Sequence, residues 1–120
     1  FDAVTEDGTY VGGAIAPGIS IAADALFHST SQLRRVELNR PPASIGKNTT
    51  EAIQSGLVVG YTEMVKGMVS RFDRELGGNS HVIATGGLAS VIAEEAKVFD
   101  AIEPDLTLIG LRLIYERNTP

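Results

Sequence analysis

The stretch from Asn48 to Gly78 constrains the fold more than any other part of the chain. Ile53, Leu57, Tyr61, Met64, Met68 and Phe72 recur at three- and four-residue spacing, the period of one helix face. Val58, Val65 and Val69 widen that stripe, so two faces of the helix are expected to be buried. Asn48 stands where an N-cap belongs, and Glu51 three residues on completes an Asn-x-x-Glu capping box. Gly77-Gly78 supplies the stop. The pattern predicts a helix of roughly seven turns, long enough to cross a small domain.

The remaining elements are shorter. Phe1–Thr5 and Thr9–Ala16 read as strands, joined by a turn at Glu6–Gly8 in which Gly8 takes a positive φ. Pro17-Gly18 punctuates the chain, and a helix follows to about His28–Gln32, with Ser20 as its candidate cap. Val36 and Leu38 alternate with polar neighbours, the pattern of a short strand, before Pro41-Pro42 opens a loop. His81–Ala84 reads as a short buried strand, Leu88–Lys97 as a helix, Asp100–Asp105 as loop, and Leu106 to Tyr115 as a closing amphipathic helix. The order strand-strand-helix-strand-helix-strand-helix-helix is α/β. Its opening hairpin requires antiparallel pairing. The expected architecture is a mixed sheet flanked by helices, of the ribonuclease-H-like kind.

Composition narrows the function classes. The formal net charge is −5 and no basic run exceeds Arg34-Arg35, so a nucleic-acid surface is not expected. With no cysteine, disulfides and thiolate metal sites are excluded and a cytoplasmic setting is expected. No apolar run reaches the ~18 residues of a membrane span. The 120 residues fit a single domain or lobe, and 43% hydrophobic content is enough for a core. The sequence opens with Phe1 inside strand-like text, so it is expected to be the second half of something longer.

Four stretches carry candidate chemistry. In "IGKNT" (Ile45–Thr49), Gly46, Lys47 and Thr49 sit at the start of the long helix. The amides of Thr49–Glu51, the positive helix end and the Thr49 hydroxyl would hold a carboxylate or phosphate. The spacing is not that of a P-loop. Capping explains Asn48 and Glu51 but does not require Gly46 and Lys47. In "ATGG" (Ala84–Gly87), two glycines lie between a strand and a helix, where ligands of α/β folds collect; a tight turn would need them equally. "GGAIAPG" (Gly12–Gly18) places paired glycines in a strand, read as a bulge or a close approach. "EDGT" (Glu6–Thr9) is accounted for by turn chemistry. His28 and His81 are isolated and suggest no metal site. Gly56 and Gly60 form a Gly-x3-Gly ridge, read as close helix packing within the subunit or at a dimer seam.

Taken in order, "TYVGGAIAPGIS" (Thr9–Ser20), "RVELNRPPASIGKNTTEAIQSG" (Arg35–Gly56), "ATGGLA" (Ala84–Ala89) and "DLTLIGLRLIYERN" (Asp105–Asn118) resemble the C-terminal half of the type III pantothenate kinases. That family belongs to the acetate-and-sugar-kinase/Hsp70/actin superfamily. The resemblance implies residues 1–120 as one C-terminal lobe of a two-lobed kinase, with the N-terminal lobe absent. It implies transfer of the γ-phosphoryl group of ATP to pantothenate, giving 4'-phosphopantothenate, the first step towards coenzyme A. It also implies Mg²⁺, a monovalent cation (K⁺ or NH4⁺), a homodimer and a bacterial cytoplasm. Thr49 matches the family's pantothenate-contacting threonine, reached from the neighbouring subunit. Gly86 and Gly87 match the superfamily's adenosine-side turn. The family's two phosphate loops and its catalytic aspartate fall outside this sequence, so no catalytic or metal-binding residue is assigned here, and the segment alone is not expected to turn over substrate. Arg34 stands where many relatives have proline. The alternative on the same fold is a non-catalytic regulatory or accessory module; another is a superfamily kinase acting on a sugar or acetate, which needs no carboxylate anchor at Thr49.

Overall fold

The computed structural model describes residues 1–29 and 35–119. Gln32, the far limit of the first predicted helix, and Arg34 lie outside them. The architecture is mixed α/β. Strands β1 (Asp2–Val4) and β2 (Tyr10–Gly13) form an antiparallel hairpin. Its turn closes as expected: Thr5 N–H donates to the Thr9 carbonyl at 2.9 Å, and Gly8 has φ +84°. The Asp7 carboxylate accepts from the Thr5 hydroxyl and from Thr9 N–H, and these bonds hold its pKa below the ordinary aspartate value. The register slips between Ala3 and Val4, so the paired glycines do mark a bulge. Gly13 lies so close to the Phe1 carbonyl that a β-carbon there would fall 2.0 Å from its oxygen.

Helix α1 spans Ile19–His28. Ser20 is not its cap: the chain enters from Gly18, in extended conformation and with no side-chain cap bond, and Ser20 falls inside the first turn. The entrance is held from across the core, where the Tyr61 hydroxyl donates to the carbonyls of Pro17 (2.9 Å) and Gly18 (3.3 Å).

The long helix is present, with one interruption. It runs as α2 (Thr49–Gln54), a π-helical turn (Ser55–Val59) and α3 (Gly60–Glu75). Gly56, Val58, Val59 and Gly60 put weak helix formers together at that point, and a single wide turn is how a helix absorbs them. The most deeply buried side chains lie in this turn and just after it. Val58 and Thr62 are fully enclosed, and the Thr62 hydroxyl is satisfied by donating to the Val58 carbonyl at 2.8 Å. At the far end Gly78 N–H donates to the Asp73 carbonyl (2.8 Å) and Gly77 N–H to that of Arg74 (3.3 Å), a Schellman closure.

Two faces of this helix are covered. On one, Ile53 and Leu57 pack with Ile19 and Ala23 of α1, joined by Phe27, Val36, Leu38 and Tyr61. On another lies α4 (Ala89–Ala96), which packs against α3 and the π turn through a helix whose own buried residues are Ile92 and Ala96. At its C-terminal end Phe72 meets the ring of Phe1, centroids 6.2 Å apart. Nothing lies within 4 Å of where a β-carbon of Gly56 or Gly60 would stand, so close packing within the subunit does not explain the ridge.

Further expectations are corrected. Val36 and Leu38 form no strand; they enter the core from irregular chain, and the Glu37 carbonyl between them takes its bond from the Gln54 side chain at 3.0 Å. The Asp100–Asp105 loop contains strand β4 (Ala101–Ile102), which pairs in parallel with β3 (Ile83–Ala84). Only part of the predicted strand at 81–84 pairs: Ala84 is buried but Ile83 is half exposed. Helix α4 makes the crossover that a parallel pair needs. Among the described residues the hairpin and the parallel pair are two separate two-stranded sheets rather than one. Helix α5 (Leu106–Asn118) ends the description with no buried residue.

Candidate functional site

Thr49 lies at the first turn of α2, exposed. The capping box forms, with a variation. Asn48 Oδ1 accepts from Glu51 N–H at 2.9 Å, and Ala52 N–H reaches the Asn48 carbonyl at 2.9 Å. The Glu51 carboxylate returns not to Asn48 but one residue further, accepting from Lys47 N–H at 2.8 Å. The Glu51 amide is therefore occupied. Of the three amides considered from sequence, those of Thr49 and Thr50 have no hydrogen-bond partner among the described residues. Two open N–H groups, an exposed threonine hydroxyl and the positive end of a helix can together grip one carboxylate or phosphate group.

The loop above them explains Gly46. A β-carbon there would stand 2.3 Å from the Ala52 nitrogen and 2.6 Å from the Glu51 carbonyl carbon. The backbone of Gly46 thus rests on the first turn of α2, and no larger residue fits. Packing accounts for Gly46 without a ligand. Lys47, by contrast, is exposed and its side chain has no salt-bridge partner among the described residues. Ser55 Oγ donates to the Ser44 carbonyl, pinning the loop to the π turn.

Gly86 and Gly87 sit in the turn between β3 and α4, at the carboxyl ends of the parallel strands. Glu103 N–H donates to the Ala84 carbonyl at 2.8 Å, and Asp100 N–H to that of Val82 at 2.8 Å, so the two strand ends are knit side by side. Gly86 has φ +99°, and neither glycine has an atom within 4 Å of where its β-carbon would be. The turn presents bare backbone on an open surface, the geometry that lets a flat ring lie close. Its position follows from chain topology that the sequence only suggested.

The two regions are tied together. Arg40, in the loop leading to Thr49, pairs with Glu95 on α4, the helix that the glycine turn begins; Arg40 Nε lies 2.7 Å from Glu95 Oε2. Sequence reading missed this contact, because nothing in the local pattern links residues so far apart. Among the described residues no group of three His, Asp or Glu side chains could hold a metal ion. An open depression at the hairpin tip, lined by Thr5, Glu6, Asp7 and Thr9, is remote in sequence from both regions.

Comparison with known proteins decides the family. The sequence profile of the type III pantothenate kinases matches residues 1–71. The chain belongs to the type III pantothenate kinase family. A type III pantothenate kinase of Roseiflexus sp. (strain RS-1) is 57% identical over 118 residues, covering 98% of this chain and 46% of the relative. One from Moorella thermoacetica is 54% identical over 119 residues, covering 99% and 47% respectively. One from Streptomyces avermitilis is 56% identical over 121 residues, covering 98% and 46%. The chain spans about half the length of the curated relatives it matches. As a type III pantothenate kinase segment it contains both regions described above, and no described helix is long and apolar enough to cross a membrane.

Proposed function

We propose that this chain is the C-terminal, ribonuclease-H-like lobe of a two-lobed kinase that phosphorylates pantothenate with ATP, the first step of coenzyme A synthesis. Family membership supports the reaction class. The observation that carries the site is the pair of open amides at Thr49 and Thr50. Pantothenate is an acid, and its carboxylate matches the charge and hydrogen-bonding needs of that helix end. The one acid in the turn, Glu51, is already engaged by Lys47 N–H.

In phosphoryl transfer the protein chiefly positions the reactants and neutralises charge. Thr49 and the two amides anchor the carboxylate end of pantothenate, leaving its hydroxyl end free to meet the γ-phosphorus of ATP. Gly86 and Gly87 form the adenosine-side wall, a role supported by their open backbone at the strand ends. The hydroxyl oxygen forms the new P–O bond as the bond from the γ-phosphorus to the bridging oxygen breaks; ADP leaves, and the hydroxyl proton passes to a base, the family's aspartate, that lies outside this sequence. Among the described residues no group of three His, Asp or Glu side chains could hold Mg²⁺. A homodimer in which the Thr49 region faces a neighbouring subunit, and a cytoplasmic location, complete the reading.

The test is Thr49→Ala in a full-length kinase carrying this sequence. The expected result is a KM for pantothenate raised about tenfold, the equivalent of one lost charge-assisted hydrogen bond, with the KM for ATP unchanged. Equal rises in both would reject the role given to Thr49. No phosphorylation by the unaltered full-length protein would favour the regulatory alternative.

A further inference from the structure

The loop 40–47, which delivers Thr49 to its helix, has no ladder of its own. Among the described residues, 40–46 make no backbone–backbone hydrogen bond. Apart from the Arg40–Glu95 pair, the segment is tied down by side chains of the helix that it feeds. The Glu51 carboxylate accepts from Lys47 N–H at 2.8 Å. Gln54 Nε2 donates to the Glu37 carbonyl, just ahead of the loop, at 3.0 Å. The Ser55 hydroxyl donates to the Ser44 carbonyl at 2.5 Å. Residues 51, 54 and 55 stand three and four apart, so they share one helix face.

The Ser55 contact departs from what a hydroxyl inside a helix usually does. Thr62, further along, donates to the Val58 carbonyl of its own helix at 2.8 Å. Ser55 instead reaches a residue 11 positions back. The Ser44 carbonyl has no other hydrogen-bond partner among the described residues. Ser44 is exposed, so water would satisfy that carbonyl nearly as well. The bond therefore adds little to stability. What it fixes is the place of Ile45, Gly46 and Lys47 beside the first turn of α2, where Gly46 rests on Ala52.

We propose that Ser55, assisted by Gln54, is a positioning residue for the carboxylic-acid substrate. Neither side chain touches the acid. Together they hold the loop against the helix start, so that the open amides of Thr49 and Thr50 and the Lys47 side chain meet the carboxylate in one prearranged geometry. Glu51 ties the same loop nearer the amides. This inference rests on the reading of Thr49 as the carboxylate anchor.

The test uses a full-length kinase carrying this sequence and compares Ser55→Ala, Ser55→Thr, Gln54→Ala and Thr49→Ala. Ser55→Ala should raise the KM for pantothenate about three- to tenfold, the equivalent of one neutral hydrogen bond. The KM for ATP and kcat should stay within about twofold. The thermal midpoint should move by no more than about 2 °C, because water replaces the hydroxyl at Ser44. Ser55→Thr keeps the hydroxyl and should restore the original KM. Gln54→Ala should act in the same direction by only about two- to threefold, since the Glu37 carbonyl keeps its bond from Asn39 N–H at 2.9 Å. An unchanged pantothenate KM in Ser55→Ala, with a raised one in Thr49→Ala, would overturn this proposal alone. So would equal rises in both KM values with a large fall in the midpoint, the mark of a merely structural contact. Thr49→Ala without effect would sink the anchor reading and this inference with it.

Discussion

Arg40 and Glu95 are 55 residues apart in sequence and bonded in space, with Nε 2.7 Å from Oε2. The contact joins the loop that delivers Thr49 to the helix that starts at the glycine turn. Arg40 is mostly exposed and Glu95 less so, so the pair is worth little in stability, about 0.5–1 kcal/mol. A double-mutant cycle of Arg40→Ala and Glu95→Ala, read by denaturant unfolding, should return a coupling energy of that size. A coupling well above 1 kcal/mol would contradict a pair as exposed as this one.

Gly46→Ala should be far costlier than its size suggests. The added carbon meets backbone, not a flexible side chain, so the loop must lift from the helix start. The expected loss is about 1–3 kcal/mol. In a full-length kinase the KM for pantothenate should rise while the KM for ATP stays near its original value. Unchanged stability would show that the loop does not lie on Ala52.

Asp73 gives a pH signature. Its carboxylate accepts from Ser80 N–H at 2.8 Å, and that bond, with a contribution from the Ser80 side chain, holds its pKa below the ordinary value. A depressed folded-state pKa contributes stability above the unfolded value, near pH 4, and that contribution is lost as the pH falls through the folded value. Asp73→Asn should therefore flatten the acid limb of the stability curve below about pH 4. An unchanged acid limb would contradict the assignment.

Local signals in the sequence were enough for some elements. The hairpin followed from Gly8, the start of α2 from Asn48 and Glu51, and the end of α3 from Gly77-Gly78, because each is decided within a few residues. The parallel pair was not legible, since Ala101–Ile102 is too short to show alternation and its partner lies far back in the chain. Val36 and Leu38 alternate as a strand would, yet no edge is available to them, and burial in the core satisfies the same pattern. The π turn had a signal in Gly56, Val58, Val59 and Gly60 that a search for period alone passes over. At the site, the helix-start reading placed Thr49 correctly, but the number of open amides depended on side-chain geometry: Asn48 and Glu51 could each have closed a different set.

The most direct test of the carboxylate anchor at Thr49 compares pantothenate with its neutral alcohol analogue, which keeps the reacting hydroxyl and lacks the charge. In a full-length kinase carrying this sequence, kcat/KM should favour the acid by about 10- to 100-fold, as expected for a charge-assisted contact. Thr49→Ala, which removes the hydroxyl but keeps the two amides, should cut that preference about tenfold, mainly by slowing the acid. An enzyme that treats acid and alcohol alike, or a Thr49→Ala variant that keeps the full preference, would contradict it.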